Sequence, residues 1–192
     1  MQKWMFLAVT TALSFLFFTP QTASAQTEVP KLELGAQFST LRLTDFDTTE
    51  PGFGGRITYN LTRHLSVESE INAFPRGQGF FTGGHKVEGL LGAKYGWRSD
   101  RIGVFGKLRP GVMYFDKLTV PCPPGIFCAA IIVRPTEETN FALDAGGVFE
   151  YYPSRHTSLR FDLGDTIIRY DGFNPTFTNH NLQLSAGVGY RF

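Results

Sequence analysis

The C-terminal segment, residues 181–192, reads NLQLSAGVGYRF and alternates between two kinds of side chain. One parity is apolar and ends in Tyr190 and Phe192, whereas the other is polar or small and includes Arg191. Alternation with period two is the pattern of a β-strand whose two faces meet different environments. This segment fits both a membrane barrel, with one face toward lipid, and the edge strand of a soluble sandwich, so the rest of the chain has to discriminate.

The N-terminal segment has the features of a secretory signal peptide. Lys3 is followed by an apolar stretch from Trp4 to Phe18, and the small residues Ala23 and Ala25 frame a cleavage site. A retained transmembrane helix would need about 20 apolar residues and a flanking stop signal. We therefore expect residues 1–25 to be removed and residues 26–192 to form one domain.

Composition restricts how the mature chain can fold and what it can bind. The formal net charge is +1, which provides no basic field for nucleic acid. The chain contains 19 Phe, 7 Tyr and 21 Gly, and no apolar run after the signal peptide is long enough for a membrane helix. Many short strands are expected, and any membrane crossing would have to be made by a closed barrel.

Eight segments alternate with period two and are separated by turn residues. In the seventh, a bulge near Gly164 is expected to return Ile168 and Tyr170 to the outer face, and Pro110 predicts a second bulge or bend. The eight predicted strands are 32–39, 53–60, 65–73, 86–97, 102–114, 140–151, 159–170 and 181–192.

The connections between these segments alternate between long and short, which is typical of outer-membrane barrels with short periplasmic turns. The sequence thus predicts an all-β fold, an eight-stranded antiparallel up-and-down transmembrane β-barrel with both termini periplasmic. Outward aromatic residues near the short turns would form a membrane girdle: Tyr59, Tyr95, Trp97, Phe149, Tyr151, Tyr190 and Phe192. A second belt at the opposite strand ends would comprise Phe38, Phe53, Tyr114, Phe141 and Tyr170.

The inward parity carries many charges of both signs, which a dry core would accept only in pairs. We predict a lumen charge network formed by Glu33, Arg56, Glu68, Glu70, Glu88, Lys94, Lys107, Arg109, Asp144, Glu150, Arg160, Asp162 and Arg191. If the short turns are symmetric, Arg56 faces Glu68, Glu150 faces Arg160, and Glu88 lies diagonal to Arg109. A soluble sandwich would instead expose these charges to water.

Three stretches resemble a known family: YNLTRHLSVESEI at residues 59–71, FEYYPSRHTSLRFDLGDTIIRY at residues 149–170, and the terminal GVGYRF. They are similar to the outer-membrane protein β-barrel domain family and to small OmpA-like barrels. The resemblance implies location in the cell outer membrane, contact with outer-membrane lipid, and recognition of the C-terminal strand by the outer-membrane assembly machinery.

The longest predicted outer loop, residues 116–138, contains Cys122 and Cys128. In an oxidising envelope two close cysteines predict a disulfide, while a metal site is the weaker alternative because no histidine lies nearby. The loop is unusually apolar from residue 126 to 133. This pattern fits a hairpin that extends the strands, or a docking patch for a surface partner.

Catalytic residues are not evident. His180 and Ser185 are five positions apart on one strand, so they point to opposite faces and cannot form a nucleophile–base pair. The sequence predicts a non-enzymatic structural or surface-interaction barrel without cofactor or metal, its lumen plugged by ion pairs. The alternatives are a narrow channel or small-ligand carrier that uses the charged lumen, and a secreted lipocalin-like barrel, which would have an apolar interior.

Overall fold

The computed structural model describes residues 29–44, 48–75, 84–118, 136–170 and 177–192. These residues form eight strands: β1 (Leu32–Leu43), β2 (Thr48–Asn60), β3 (Leu65–Phe74), β4 (Lys86–Arg98), β5 (Ile102–Leu118), β6 (Thr136–Tyr151), β7 (Thr157–Tyr170) and β8 (Phe177–Arg191). Each strand pairs antiparallel with the next, and β1 pairs with β8 to close the barrel. The predicted eight-stranded antiparallel up-and-down barrel is confirmed. The predicted signal peptide and both cysteines lie outside the described residues.

The outer face of the barrel is apolar because the alternating pattern places one parity of every strand outward. Leu91, Phe161 and Val188 are typical, with 60%, 55% and 51% of their surface exposed. The closing pair of strands sets Glu33 opposite Arg191 and Leu34 opposite Tyr190. The alternative of a soluble sandwich with an apolar interior is therefore excluded, since the exposed side chains are the apolar ones.

The strands continue further toward the long connections than the sequence predicts. β1 extends to Leu43 and β2 begins at Thr48, within a segment predicted to be a loop. Leu41, Leu43 and Glu50 from this extension are fully buried inside the barrel. Inward packing of these side chains stabilises backbone that a turn-rich sequence would otherwise leave irregular.

The bulge predicted near Gly164 is wrong. The pairing of β7 with β6 and β8 runs without interruption through Gly164, so Ile168 and Tyr170 stay on the inner parity and are fully buried. Pro110 causes no change of register and lies opposite Leu143, on the exposed side of β5, but the pairing of β5 with β4 skips Arg109 and Pro110, as the missing ladder donor predicts. The register shift between β5 and β6 occurs instead between Phe115 and Leu118.

Within the described parts of the chain, no helix is long and apolar enough to cross a membrane.

Candidate functional site

The buried polar and charged side chains of the described residues lie in the barrel interior. Each of the thirteen charged residues predicted to face the lumen is buried, and Arg191 is the most exposed of them at 6%. They come from all eight strands, because alternate residues of each strand point inward. We call this set the lumen ion-pair network.

Arg160 of β7 lies at the centre of the lumen ion-pair network. Its guanidinium donates to Asp162, with Nε 2.6 Å from Oδ2, and to Glu68 of β3, with Nη2 3.0 Å from Oε2. Lys94 of β4 also contacts Glu68, at 3.3 Å, and donates to Glu150. Glu150 lies opposite Arg160 in the β6–β7 register as predicted. Two cations therefore share the same carboxylates across the barrel.

A second group in the same network is built around Asp144 of β6. Lys107 Nζ and Arg109 Nη2, both from β5, approach the Asp144 Oδ2 atom at 2.9 Å and 2.6 Å. Arg109 also donates to Glu70 of β3. Lys107 lies 3.2 Å from Asp162, which links this group to Arg160. The cations thus join the two groups into one connected network.

The predicted pairing of Arg56 with Glu68 is wrong. The turn between β2 and β3 sets Asn60 opposite Ser66, which shifts the register so that Arg56 lies opposite Glu70. Arg56 bonds instead to Glu33 of β1 at 2.8 Å. Glu33 also accepts a hydrogen bond from Ser158 at 2.7 Å, so this carboxylate links β1 to both β2 and β7.

Small inward residues make room for these long side chains. A Cβ atom placed on Gly189 would lie 2.6 Å from Glu33 Oε1, and one on Gly164 would lie 2.4 Å from Asp144 Oδ1. Such distances are far below van der Waals contact. The polar or small parity of the last strand is therefore a packing requirement of the neighbouring charged side chains.

Glu88 of β4 differs from the other lumen acids. Its Oε2 atom accepts hydrogen bonds from Asn72 at 2.8 Å and Gln183 at 2.9 Å, and among the described residues it forms no ion pair. Its predicted diagonal relation to Arg109 is wrong, since Glu88 lies opposite Met113. Gln37 donates to Asn72 at 2.9 Å, so a layer of amides surrounds this carboxyl group.

The short-turn end of the lumen contains Tyr152, which follows β6 and is 3% exposed. Its hydroxyl donates to Glu150 at 2.5 Å and accepts from Arg98 Nε at 2.9 Å, while the Arg191 guanidinium lies 4.1 Å from the ring centroid. Burial, reinforced by the Glu150 carboxylate, raises the pKa of Tyr152. The phenol therefore remains a neutral donor between two cations.

The opposite end of the lumen is apolar. Nine buried residues form what we call the loop-end apolar cluster: Leu41, Leu43, Phe74, Leu90, Met113, Phe115, Ala142, Ile168 and Tyr170. The rings of Phe115 and Tyr170 lie 5.7 Å apart. At this end Lys86 Nζ lies 2.5 Å from Glu50 Oε2, and both side chains are buried. The interior thus holds apolar contacts toward one end and Tyr152 among charged side chains toward the other.

Sequence reasoning missed several of these residues. Arg98 and Tyr152 directly follow the outward residues Trp97 and Tyr151, so extending the alternation by one position would have placed them inside. Glu50 fell in a segment predicted to be a loop, and the amides Gln37, Asn72 and Gln183 were not singled out because they carry no charge. The sequence analysis did not identify the apolar cluster.

The predicted girdle residues all lie on the outer face near the short turns. Their exposed fractions range from 41% for Tyr151 to 69% for Tyr95. At the other end Phe38, Phe53 and Phe141 are exposed, whereas Tyr170 is buried inside and does not belong to the second belt. Tyr170 points inward because β7 lacks the predicted bulge.

Possible reactive groups remain apart. Ser185 is buried and lies 2.5 Å from the hydroxyl of Ser39, while His180 is on the outer face, with Nδ1 2.5 Å from Asp165. No serine or cysteine nucleophile is recorded beside this histidine in the described ranges. Clusters of three or more potential metal ligands are likewise absent from the described residues.

Comparison with known proteins agrees with this geometry. A family model for the outer membrane protein β-barrel domain matches residues 9–192. The fold is similar to that of Neisserial surface protein A, with a TM-score of 0.58 and 14% identity over 84% of this chain and 96% of that one. It is also similar to the N-terminal β-barrel domain of Pseudomonas aeruginosa OprF, with a TM-score of 0.52 and 14% identity over 83% and 97% of the two chains. No curated protein sequence matches the chain.

Proposed function

This chain belongs to the outer membrane protein β-barrel domain family, and we propose that it is a plugged, non-enzymatic barrel that anchors its long connections at one surface of the outer membrane. Location in the outer membrane follows from the family. The proposed role is structural, or the presentation of a surface for interaction, and needs no cofactor.

The observation that carries this proposal is the set of ion pairs that cross the lumen. The cations Lys94, Lys107, Arg109 and Arg160 each contact two or more carboxylates from different strands. An eight-stranded barrel has an interior just wide enough to be filled by side chains. Ion pairs across such an interior would leave no continuous path for water or solute.

The proposed orientation rests on the two longest connections, which lie at the same end of the barrel. Connections of three to five residues join β2 to β3, β4 to β5 and β6 to β7, whereas at the other end 11 residues separate β3 from β4 and 17 separate β5 from β6, with six between β7 and β8 and four between β1 and β2. Barrels of this kind place short turns in the periplasm, so both termini would be periplasmic and the long connections outside. The aromatic end of β8 would then be the element that the assembly machinery recognises.

The segment 116–138 is the part of the chain proposed to meet a surface partner. β5 ends at Leu118 and β6 begins at Thr136, and the cysteines and apolar residues between them lie outside the described residues. The support for this role is the apolar composition from residue 126 to 133, which is unusual for a connection facing water.

Conductance separates the plugged barrel from the narrow channel. The purified protein, inserted into a planar bilayer, should give no steady single-channel current. The control is an Arg109→Ala, Arg160→Ala double variant, because it lacks two of the cations that fill the lumen. It is used only if it still migrates as a folded barrel. A steady current through the wild-type protein would overturn the plug and support the channel.

The surface role requires a separate test. Deletion of residues 122–133 should leave a heat-modifiable barrel and abolish binding to host or bacterial surfaces that the full chain binds. Unchanged binding by the deletion variant would place the interaction elsewhere and refute the docking role of this segment.

A further inference from the structure

The short-turn end of the barrel carries four arginines, two of which take no part in the ion pairs of the lumen. Arg63, Arg98, Arg155 and Arg191 line one cleft of about 540 Å³, and among the residues that the structure describes Asp100 is the only acid in its wall. We call it the basic cleft. Two turns and two strand ends bring these guanidinium groups together, because the short connections converge at this end.

Two of these arginines, Arg98 and Arg191, are held by contacts inside the barrel, and the other two, Arg63 and Arg155, are available to bind a ligand. Arg98 is fixed by hydrogen bonds to Tyr152 at 2.9 Å and Asn60 at 3.0 Å, and its Nη1 atom has no hydrogen-bond partner. Arg191 rests on the Tyr152 ring, and its Nε is likewise without a hydrogen bond. Arg155 is exposed and Arg63 half-buried, and within the described residues neither forms an ion pair with a carboxylate.

A guanidinium presents a planar fork of donors that fits phosphate or carboxylate oxygens. Arg98 lies 3.6 Å from Glu150 and Arg191 lies 3.9 Å from Glu33, so the excess positive charge of the basic cleft comes from Arg63 and Arg155. Since like charges repel, an anion bound between these arginines would be stabilised. The ligand chemistry is therefore that of an oxyanion.

The surroundings of the cleft indicate where the anion comes from. A second cleft of about 430 Å³ shares Val29, Pro30, Arg155 and Arg191 with the first and extends to Lys31, His156 and Phe192. His156 stacks on Tyr190 at 5.9 Å, and Tyr190 meets Phe192 at 4.9 Å. These girdle aromatics are on the outer face, and such aromatic belts lie at the level of lipid headgroups.

We propose that the basic cleft binds the phosphate of an anionic membrane lipid in the leaflet next to the short turns. The acyl chains would follow the outer face past Tyr190 and Phe192, while Arg63, Arg155 and Arg191 contact the headgroup. This site is independent of whether the lumen conducts and of any partner at the long connections.

The test uses the full mature protein in non-ionic detergent, titrated with short-chain phosphatidylglycerol and followed by native mass spectrometry. An Arg63→Gln, Arg155→Gln variant should bind the lipid at least about tenfold more weakly, since it loses two charge-assisted contacts. Arg98 and Arg191 stay unchanged, because both are buried and help to close the barrel. A heat-modifiable gel shift confirms that each variant is folded.

Arg101→Gln is the matched control, because Arg101 is an exposed arginine of the same end that does not line either cleft. Its lipid affinity should equal that of the wild type. Asp100→Asn removes the acid from the wall and should tighten binding by about two- to threefold. An equal loss in the control and in the double variant would overturn the site in favour of a diffuse electrostatic effect.

Separate titrations with phosphatidylcholine and with inorganic phosphate define the ligand. Phosphatidylcholine should bind more weakly than phosphatidylglycerol, because its choline group opposes the arginines. Inorganic phosphate that binds as tightly as the lipid would overturn the assignment to a lipid headgroup and leave a site for a small soluble anion.

Discussion

Two regions of the same lumen are filled in opposite ways. Toward the short turns the interior is a connected set of ion pairs centred on Arg160, and toward the long connections it is the loop-end apolar cluster around Phe115. β7 contributes to both, with Arg160 and Asp162 in the first region and Ile168 and Tyr170 in the second, all on one parity. Inward direction and polarity are therefore separate properties of a barrel strand.

The two fillings should respond differently to substitution. A buried ion needs a partner at a defined position, so removal of one member leaves the others uncompensated. Apolar contacts are non-directional and depend mainly on volume, so a similar side chain can replace the original. Variants within each region can separate these behaviours, with unfolding by denaturant in lipid vesicles as the measurement.

The largest effect is expected for Arg160→Met. This change leaves Glu68 and Asp162 without their main cation and should lower the free energy of unfolding by about 3–5 kcal/mol. Arg160→Lys should recover only part of it, because an ammonium group cannot replace the guanidinium fork. Arg101→Met in an exposed turn should change stability by less than about 0.5 kcal/mol. An Arg160→Met loss as small as that of the control would show that the network contributes nothing specific.

Phe115→Ala should cost about 3 kcal/mol through lost apolar contact and the cavity left behind. Phe115→Leu keeps most of the volume and should cost less than half as much. If Phe115→Leu lowers the free energy of unfolding as much as Arg160→Lys does, the expected difference between the apolar cluster and the ion-pair network is contradicted.

Gly164→Ala tests the close packing of the charged region. The added Cβ would lie 2.4 Å from Asp144 Oδ1 and 3.2 Å from Lys107 Nζ, so we expect a loss of about 1–3 kcal/mol. Gly147→Ala is the outward counterpart, where the nearest atom would be 3.9 Å away, and should be nearly neutral. Equal unfolding midpoints for the two variants would contradict the packing argument.

The smallest net effect is expected for the Glu50→Leu, Lys86→Met double variant, which removes a buried ion pair near the apolar cluster. Replacing both partners by apolar groups should leave stability within about 1 kcal/mol of the wild type or raise it. Lys86→Met alone should be clearly destabilising, because it leaves Glu50 buried without this cation. If the double variant is no better than the single one, the pair is required as an ion pair even in apolar surroundings.

Residues near one another in sequence were predicted well because their relation depends on backbone geometry alone. Counting residues outward from the turn between β6 and β7 places Glu150 opposite Arg160, and the structure has this pair. The same counting failed for Arg56, because the turn between β2 and β3 is not symmetric. The prediction for Tyr170 failed for another reason: it assumed a bulge near Gly164, whereas β7 runs on unbroken and Tyr170 faces an apolar part of the interior that the alternation pattern alone does not reveal.

The sequence by itself determined the number of strands, the direction of their side chains and the apolar outer face, because period-two alternation is a local property of extended backbone. The C-terminal strand shows this, since its two parities are visible without any partner. Only the tertiary structure decided which charges meet, such as Arg109 of β5 with Glu70 of β3 and Lys94 of β4 with Glu150 of β6. Those contacts cross the lumen between strands that are not neighbours, so they depend on how every strand is staggered when the barrel closes.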